Sequence, residues 1–139
     1  MNKRLPLIIA GCFALFASLS CKKAIEKKEQ QMVMNAITNG VWIVEQYIEG
    51  PNNISNQFLN YTFQFYQNGM VTANSDSTSA TGTWAGNVSD TTITAQFSLA
   101  GNPVKKLNGV WKLKDSGWDY VKAEMTTNAG LCQLSLVKK

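Results

Sequence analysis

The groups able to do covalent or acid–base chemistry in this chain are few, and one kind is missing. There are three cysteines, nine carboxylates and no histidine among 139 residues. Without His the chain lacks the commonest general base and the commonest metal ligand, so Ser-His-Asp, Cys-His and His-zinc arrangements are excluded. Asp115, Asp119 and Glu124 are dispersed around a hairpin and make no carboxylate pair, and Asp76 and Asp90 read as turn formers. No Gly-rich phosphate loop, EF-hand or C-x-x-C spacing occurs. The expectation is a protein that binds rather than catalyses, with no metal and no cofactor.

The cysteines gain meaning from what surrounds them. Lys3 and Arg4 precede an uncharged, mostly apolar stretch over 5–19, and Ser18 and Ser20 place small residues two apart just before Cys21. A basic start, an apolar run and a small-x-small site make an export signal over residues 1–20. As a membrane span the run is short, because fifteen residues at about 1.5 Å each cover roughly 22 Å of a ~30 Å core. Cys21, followed by Lys22 and Lys23, resembles the lipobox cysteine of bacterial lipoproteins, whose thiol receives a diacylglycerol and whose freed amine receives an acyl chain. Cys12, after Ile9-Ala10-Gly11, fits that motif letter by letter, but would strand the apolar residues 13–19 on the mature chain. Cys21 is therefore the expected lipidation site and membrane anchor, in the bacterial cell envelope. A plain secreted protein cut at the same place is the alternative. Several acyl chains at about 0.8 kcal/mol per buried methylene would anchor stably. Cys132 is then left alone, with no intrachain disulfide framework, and its alternation with Leu134 and Leu136 makes it a small core residue.

Stepping along the mature chain, residues 21–38 read as a tether and short helix. Met32, Val33, Ala36 and Ile37 recur at helical spacing, and Asn39-Gly40 supplies a stop, so a helix is predicted over 24–38. From residue 39 to 139 the pattern becomes strand-like. Segments recur about every ten residues, at 41–49, 61–66, 70–74, 80–85, 91–98, 110–114, 118–125 and 131–138. Phe63 and Phe65 alternate with Thr62 and Gln64, and Ile93, Ala95 and Phe97 alternate with Thr92, Thr94 and Gln96. Such alternation marks antiparallel strands with one wet face. Asn68-Gly69 and Asp115-Ser116-Gly117 are short hairpin signals. Eight strands without room for crossover helices predict a small up-and-down antiparallel β-barrel, with a seven-stranded sandwich as the alternative. The longer connections, 50–60 and 99–108, are where an open barrel end would carry variable loops.

Gly40-Val41-Trp42 opens the first strand after a short helix, as the G-x-W motif does in lipocalins. The passage from Asn39 through Trp84, with its later GVWKL strand, resembles the lipocalin-like domain of small bacterial envelope lipoproteins. In lipocalins the motif Trp packs beneath an Arg of the last strand. No Arg follows Arg4 here, and Lys138 is the residue left to substitute. The resemblance implies a barrel that holds a small apolar ligand.

The Gly-x-Trp spacing recurs at Gly40/Trp42, Gly82/Trp84 and Gly109/Trp111. With the alternating strands it nominates Trp42, Phe63, Phe65, Trp84, Phe97 and Trp111 as lining of a ligand pocket, or else as ordinary core. An empty pocket of ~300 Å³ would cost about 7 kcal/mol at ~24 cal/mol per Å³, which rivals the stability of a whole domain. That magnitude favours a filled core, with a small pocket surviving. A filled core would leave the loops to act on a protein partner in the envelope.

The formal charge of +4 does not point to nucleic acid. Lys3 and Arg4 leave with the signal, and Lys22, Lys23, Lys27 and Lys28 face Glu26 and Glu29 in the tether. Seven lysines and seven acids remain, so the barrel is formally neutral.

Overall fold

The computed structural model describes residue 24 and residues 27–139. The predicted export signal and the predicted lipidation site Cys21 lie outside the described residues. Residues 27–38 form a helix, α1, whose early residues are exposed and whose single buried residue is Ile37. It ends where the sequence places the stop: Gly40 takes φ +99°, a left-handed conformation that glycine adopts without steric cost.

All strands among the described residues join one antiparallel sheet that closes on itself. They are β1 (Trp42–Glu49), β2 (Asn52–Asn53), β3 (Thr62–Phe65), β4 (Met70–Asn74), β5 (Ser79–Asn87), β6 (Thr92–Gln96), β7 (Gly109–Ser116), β8 (Tyr120–Thr127) and β9 (Gly130–Lys138). The order is β2-β1-β3-β4-β5-β6-β7-β8-β9, and β1 also pairs with β9. β2 is a two-residue addition to the end of β1, so the fold is an eight-stranded up-and-down barrel with a short N-terminal helix. The two flanks of β1 are unequal. Its register with β9 runs from Trp42↔Lys138 to Glu49↔Cys132, whereas it meets β3 at one pair, Trp42↔Phe63.

The turns follow local chemistry. Tyr66 N–H donates to the Met70 carbonyl, Gly69 N–H to the Tyr66 carbonyl, and Gly69 has φ +86°. The hairpin loop is thus three residues with a left-handed Gly, one longer than the Asn68-Gly69 pair alone suggests. The strand expected over 118–125 begins only at Tyr120. Gly117 N–H donates to the Tyr120 carbonyl at 2.9 Å, a tight turn that throws Trp118 out of register and leaves it 58% exposed.

The two longer connections depart from the expected open loops. Each folds into a 3-10 turn, Ser55–Phe58 and Val104–Leu107, and sends apolar side chains inward. Phe58 is 1% exposed, and Val104 and Leu107 are buried. The end of the barrel opposite α1 is therefore capped. The core is one cluster of the inward faces of the strands together with Ile37, Phe58, Val104 and Leu107.

Candidate functional site

The three Gly-x-Trp indoles share one role. A buried indole N–H must find an acceptor, and each finds a backbone carbonyl of a segment that closes the barrel. Trp42 Nε1 donates to Ile37 O at the end of α1 at 2.9 Å. Trp84 Nε1 donates to Tyr66 O in the β3–β4 hairpin at 2.9 Å, and Trp111 Nε1 to Leu107 O in the second 3-10 turn at 2.8 Å. The glycine two residues before Trp84 works by absence. A Cβ on Gly82 would sit 2.4 Å from the Gln96 carbonyl and 2.8 Å from the Phe97 ring, so this position lets β6 and Phe97 approach.

Of the six aromatic residues nominated from the sequence, Trp42, Phe63, Phe65, Phe97 and Trp111 converge on one central cavity of about 60 Å³. Trp84 does not reach it. Its ring packs edge-on against Phe65, with centroids 5.5 Å apart, and lines a separate groove beside α1. Most of the wall is aliphatic and lies outside the six nominated residues, including Ile37, Ile93, Leu113, Val121, Leu134 and Leu136. Period-two alternation marks those strand residues as inward, but aromatic spacing alone does not select them. Ile37 could be found only by recognising that α1 covers the barrel end.

Among the described residues the lining is apolar throughout, and no charged side chain borders the cavity. Its size makes a void that costs about 1.4 kcal/mol at ~24 cal/mol per Å³, which a domain tolerates. A dry apolar cavity of about 150 Å³ takes up benzene, so the closed barrel holds less space than one aromatic ring needs.

Two further spaces flank α1. One, of about 110 Å³, lies between Val33 and Met34 of the helix and Trp84, Thr91, Ile93 and Leu113 of the barrel. The other, of about 180 Å³, lies between Met32, Ala36 and Ile37 and the β7–β8 hairpin with Trp118. Among the described residues both are bordered by neutral side chains only.

The opposite end is held differently. The Tyr47 hydroxyl donates to Lys106 O at 2.8 Å, and Lys106 Nζ contacts both Glu49 carboxylate oxygens at 2.8 and 3.0 Å. The Asn108 side chain bonds both the N–H and the carbonyl of Phe97, at 2.6 and 3.2 Å. Tyr47 also stacks on Phe58, with ring centroids 5.4 Å apart. Burial, seconded by Cys132, pushes the Tyr47 phenol well above its usual range, so it stays protonated and serves as a donor. Cys132 is free and buried, as its alternation predicts, with the Thr127 hydroxyl 3.6 Å from its sulfur. Among the described residues no group of three His, Cys, Asp or Glu side chains could hold a metal ion, and no helix is long and apolar enough to cross a membrane.

No protein-family model matches this chain, and no curated protein does. Solved structures do resemble it in fold. A DUF4847 family protein from Bacteroides vulgatus superposes with a TM-score of 0.57 at 11% identity, covering 77% of this chain and 97% of that one. Japanin from Rhipicephalus appendiculatus bound to cholesterol superposes with a TM-score of 0.52 at 9% identity, covering 74% of this chain and 76% of that one. The architecture is thus an eight-stranded antiparallel barrel that resembles lipocalin-like folds.

Proposed function

We propose that this protein is a lipid-anchored lipoprotein of the bacterial cell envelope whose barrel binds a small apolar ligand and performs no catalysis. The observation that carries the binding is the central cavity, enclosed by Trp42, Phe63, Phe65, Phe97 and Trp111 and, among the described residues, bordered by no charged group. Japanin, a barrel of similar architecture bound to cholesterol, supports an apolar ligand class. A sterol is larger than benzene and does not fit the barrel as closed, so a ligand needs the barrel to rearrange. The anchor rests on the sequence alone, through the signal over 1–20 and the cysteine that follows it.

Two measurements test this. Native mass spectrometry of the protein purified from its own envelope, with titration by the neutral dye N-phenylnaphthylamine, should show retained apolar cargo or saturable dye binding. An empty barrel that ignores the dye sinks the binding reading. For the anchor, Cys21→Ser should move the protein from the membrane to the soluble fraction, and unchanged fractionation overturns it.

A second reading has its own support. Leu59 and Leu99, on the connections at the capped end, are 77% and 99% exposed. Loops on a well-packed scaffold are where binding residues concentrate, which suits a surface that engages an envelope protein partner. Replacing those two connections and finding the same set of co-purified envelope proteins would count against it.

A further inference from the structure

We propose that α1 is the gate of the barrel: a neutral apolar ligand enters at the helix end, and its site comprises the central cavity together with the two spaces flanking α1. This rests on the ligand-binding reading above and states where and how such a ligand is admitted.

The central cavity, at about 60 Å³, is too small for even a single aromatic ring, so binding requires some element to move. The capped end resists. It is tied by directional contacts from Tyr47 and Glu49 to Lys106, from Asn108 to Phe97 and from Trp111 to Leu107. Directional bonds fail abruptly when geometry changes, and each leaves a desolvated partner behind.

The helix end is held loosely by comparison. Among the described residues one hydrogen bond joins α1 to the barrel, from Trp42 Nε1 to Ile37 O, and it lies at the helix's last turn. Ile37 is the one buried helix residue, with Val33 and Met34 half-buried against the core. A helix of this length is marginal without its packed face. Immediately after it, Gly40 sits at φ +99°, a position free of the Cβ penalty and suited to act as a hinge.

The three spaces share walls. Leu113 borders all of them, Ile37 and Val121 separate the central cavity from the space beside Trp118, and Ile93 separates it from the space beside Trp84. Swinging α1 about Asn39-Gly40 withdraws Ile37, which joins the central cavity to the space beside Trp118 and uncovers the one beside Trp84, opening a site on the order of the roughly 300 Å³ at which ligand pockets begin. Among the described residues their combined border holds no Lys, Arg, Asp or Glu. A charged group would lose its hydration there without a counter-ion, whereas Gln30, Asn87, Thr91 and Ser116 can hydrogen-bond a hydroxyl or carbonyl end.

The test uses the full chain and stopped-flow association of N-phenylnaphthylamine. The double variant Val33→Ala/Met34→Ala unseats the helix and should raise the association rate roughly tenfold, because lost apolar packing raises the open population. Glu49→Gln, which slackens the capped end, should leave the rate within about twofold of wild type on the same population argument. Acceleration by Glu49→Gln with none in the helix variant overturns the gate while leaving ligand binding intact. Absence of saturable binding in every variant overturns both. The anionic counterpart, anilinonaphthalene sulfonate, should bind at least about tenfold more weakly for want of a counter-ion; equal affinity overturns the neutral-ligand assignment.

Discussion

Lys138 and Trp42 face each other across the closing seam of the barrel, with the lysine ammonium 5.3 Å from the centroid of the indole. They are register partners of β1 and β9. The lysine stem passes Gly40, where an added Cβ would lie 3.6 Å from Lys138 Cδ. One residue pair therefore ties together the first strand, the last strand and the turn below α1. A cation over a tryptophan face is favoured by the ring quadrupole.

Removing that charge should cost stability in proportion to its partial exposure. Lys138→Met should destabilise the fold by about 0.5–1 kcal/mol, while Lys138→Arg should be near neutral. Urea unfolding followed by tryptophan fluorescence measures both, and equal loss in the two variants would show that the charge plays no part.

Gly82 is a steric requirement, since Gln96 O and the Phe97 ring occupy the space a side chain needs. Gly82→Ala should lose about 1–3 kcal/mol through forced displacement of β6. Gly101, with nothing near its would-be Cβ, is the control. Gly101→Ala should stay within about 0.5 kcal/mol, and thermal unfolding of the pair separates the effect from a general cost of losing glycine.

Trp111→Phe keeps most of the buried ring but deprives Leu107 O of its donor. The expected loss is about 1–3 kcal/mol for an unsatisfied buried carbonyl. Faster hydrogen exchange should be confined to the turn Val104–Leu107 and its neighbours. Protection unchanged in that turn would show that the indole does not pin it.

Alkaline pH should weaken the capped end through Tyr47. Its phenol is raised above the ordinary value of 10.0 in the folded state, chiefly by burial. The folded form then holds its proton where the unfolded form releases one, so this stabilisation is complete below about pH 10 and declines as pH rises further. Tyr47→Phe should be less stable at neutral pH, having lost the bond to Lys106 O. Its unfolding free energy should also fall less steeply above pH 10, and parallel pH profiles for the two proteins would refute the assignment.

Much of the architecture is legible along the chain. Phe63 and Ala95 face inward because alternation fixes the face of a strand once one side is buried. The helix stop at Gly40 and the glycine of the β3–β4 hairpin are also readable, because left-handed backbone needs glycine locally. Trp118 misleads: its type suits a strand, and only the Gly117–Tyr120 hydrogen bond reveals a turn. Phe58, Val104 and Leu107 sit in stretches without period, where nothing local shows that they fold inward.

What the sequence determined by itself is an antiparallel all-β domain, read as a small barrel with a sandwich as the alternative, with aromatic inward positions, a preceding helix and formal neutrality, all set by local periodicity and composition. The tertiary structure decided that both ends are covered, that five of the six nominated aromatics meet while Trp84 stands aside, and that about 60 Å³ remains among them. Alternation states which way a side chain points, not what stands opposite it. Cavity volume is the small remainder left when side chains from many strands, a helix and two turns are fitted against one another, and it exists only once all of them are in place.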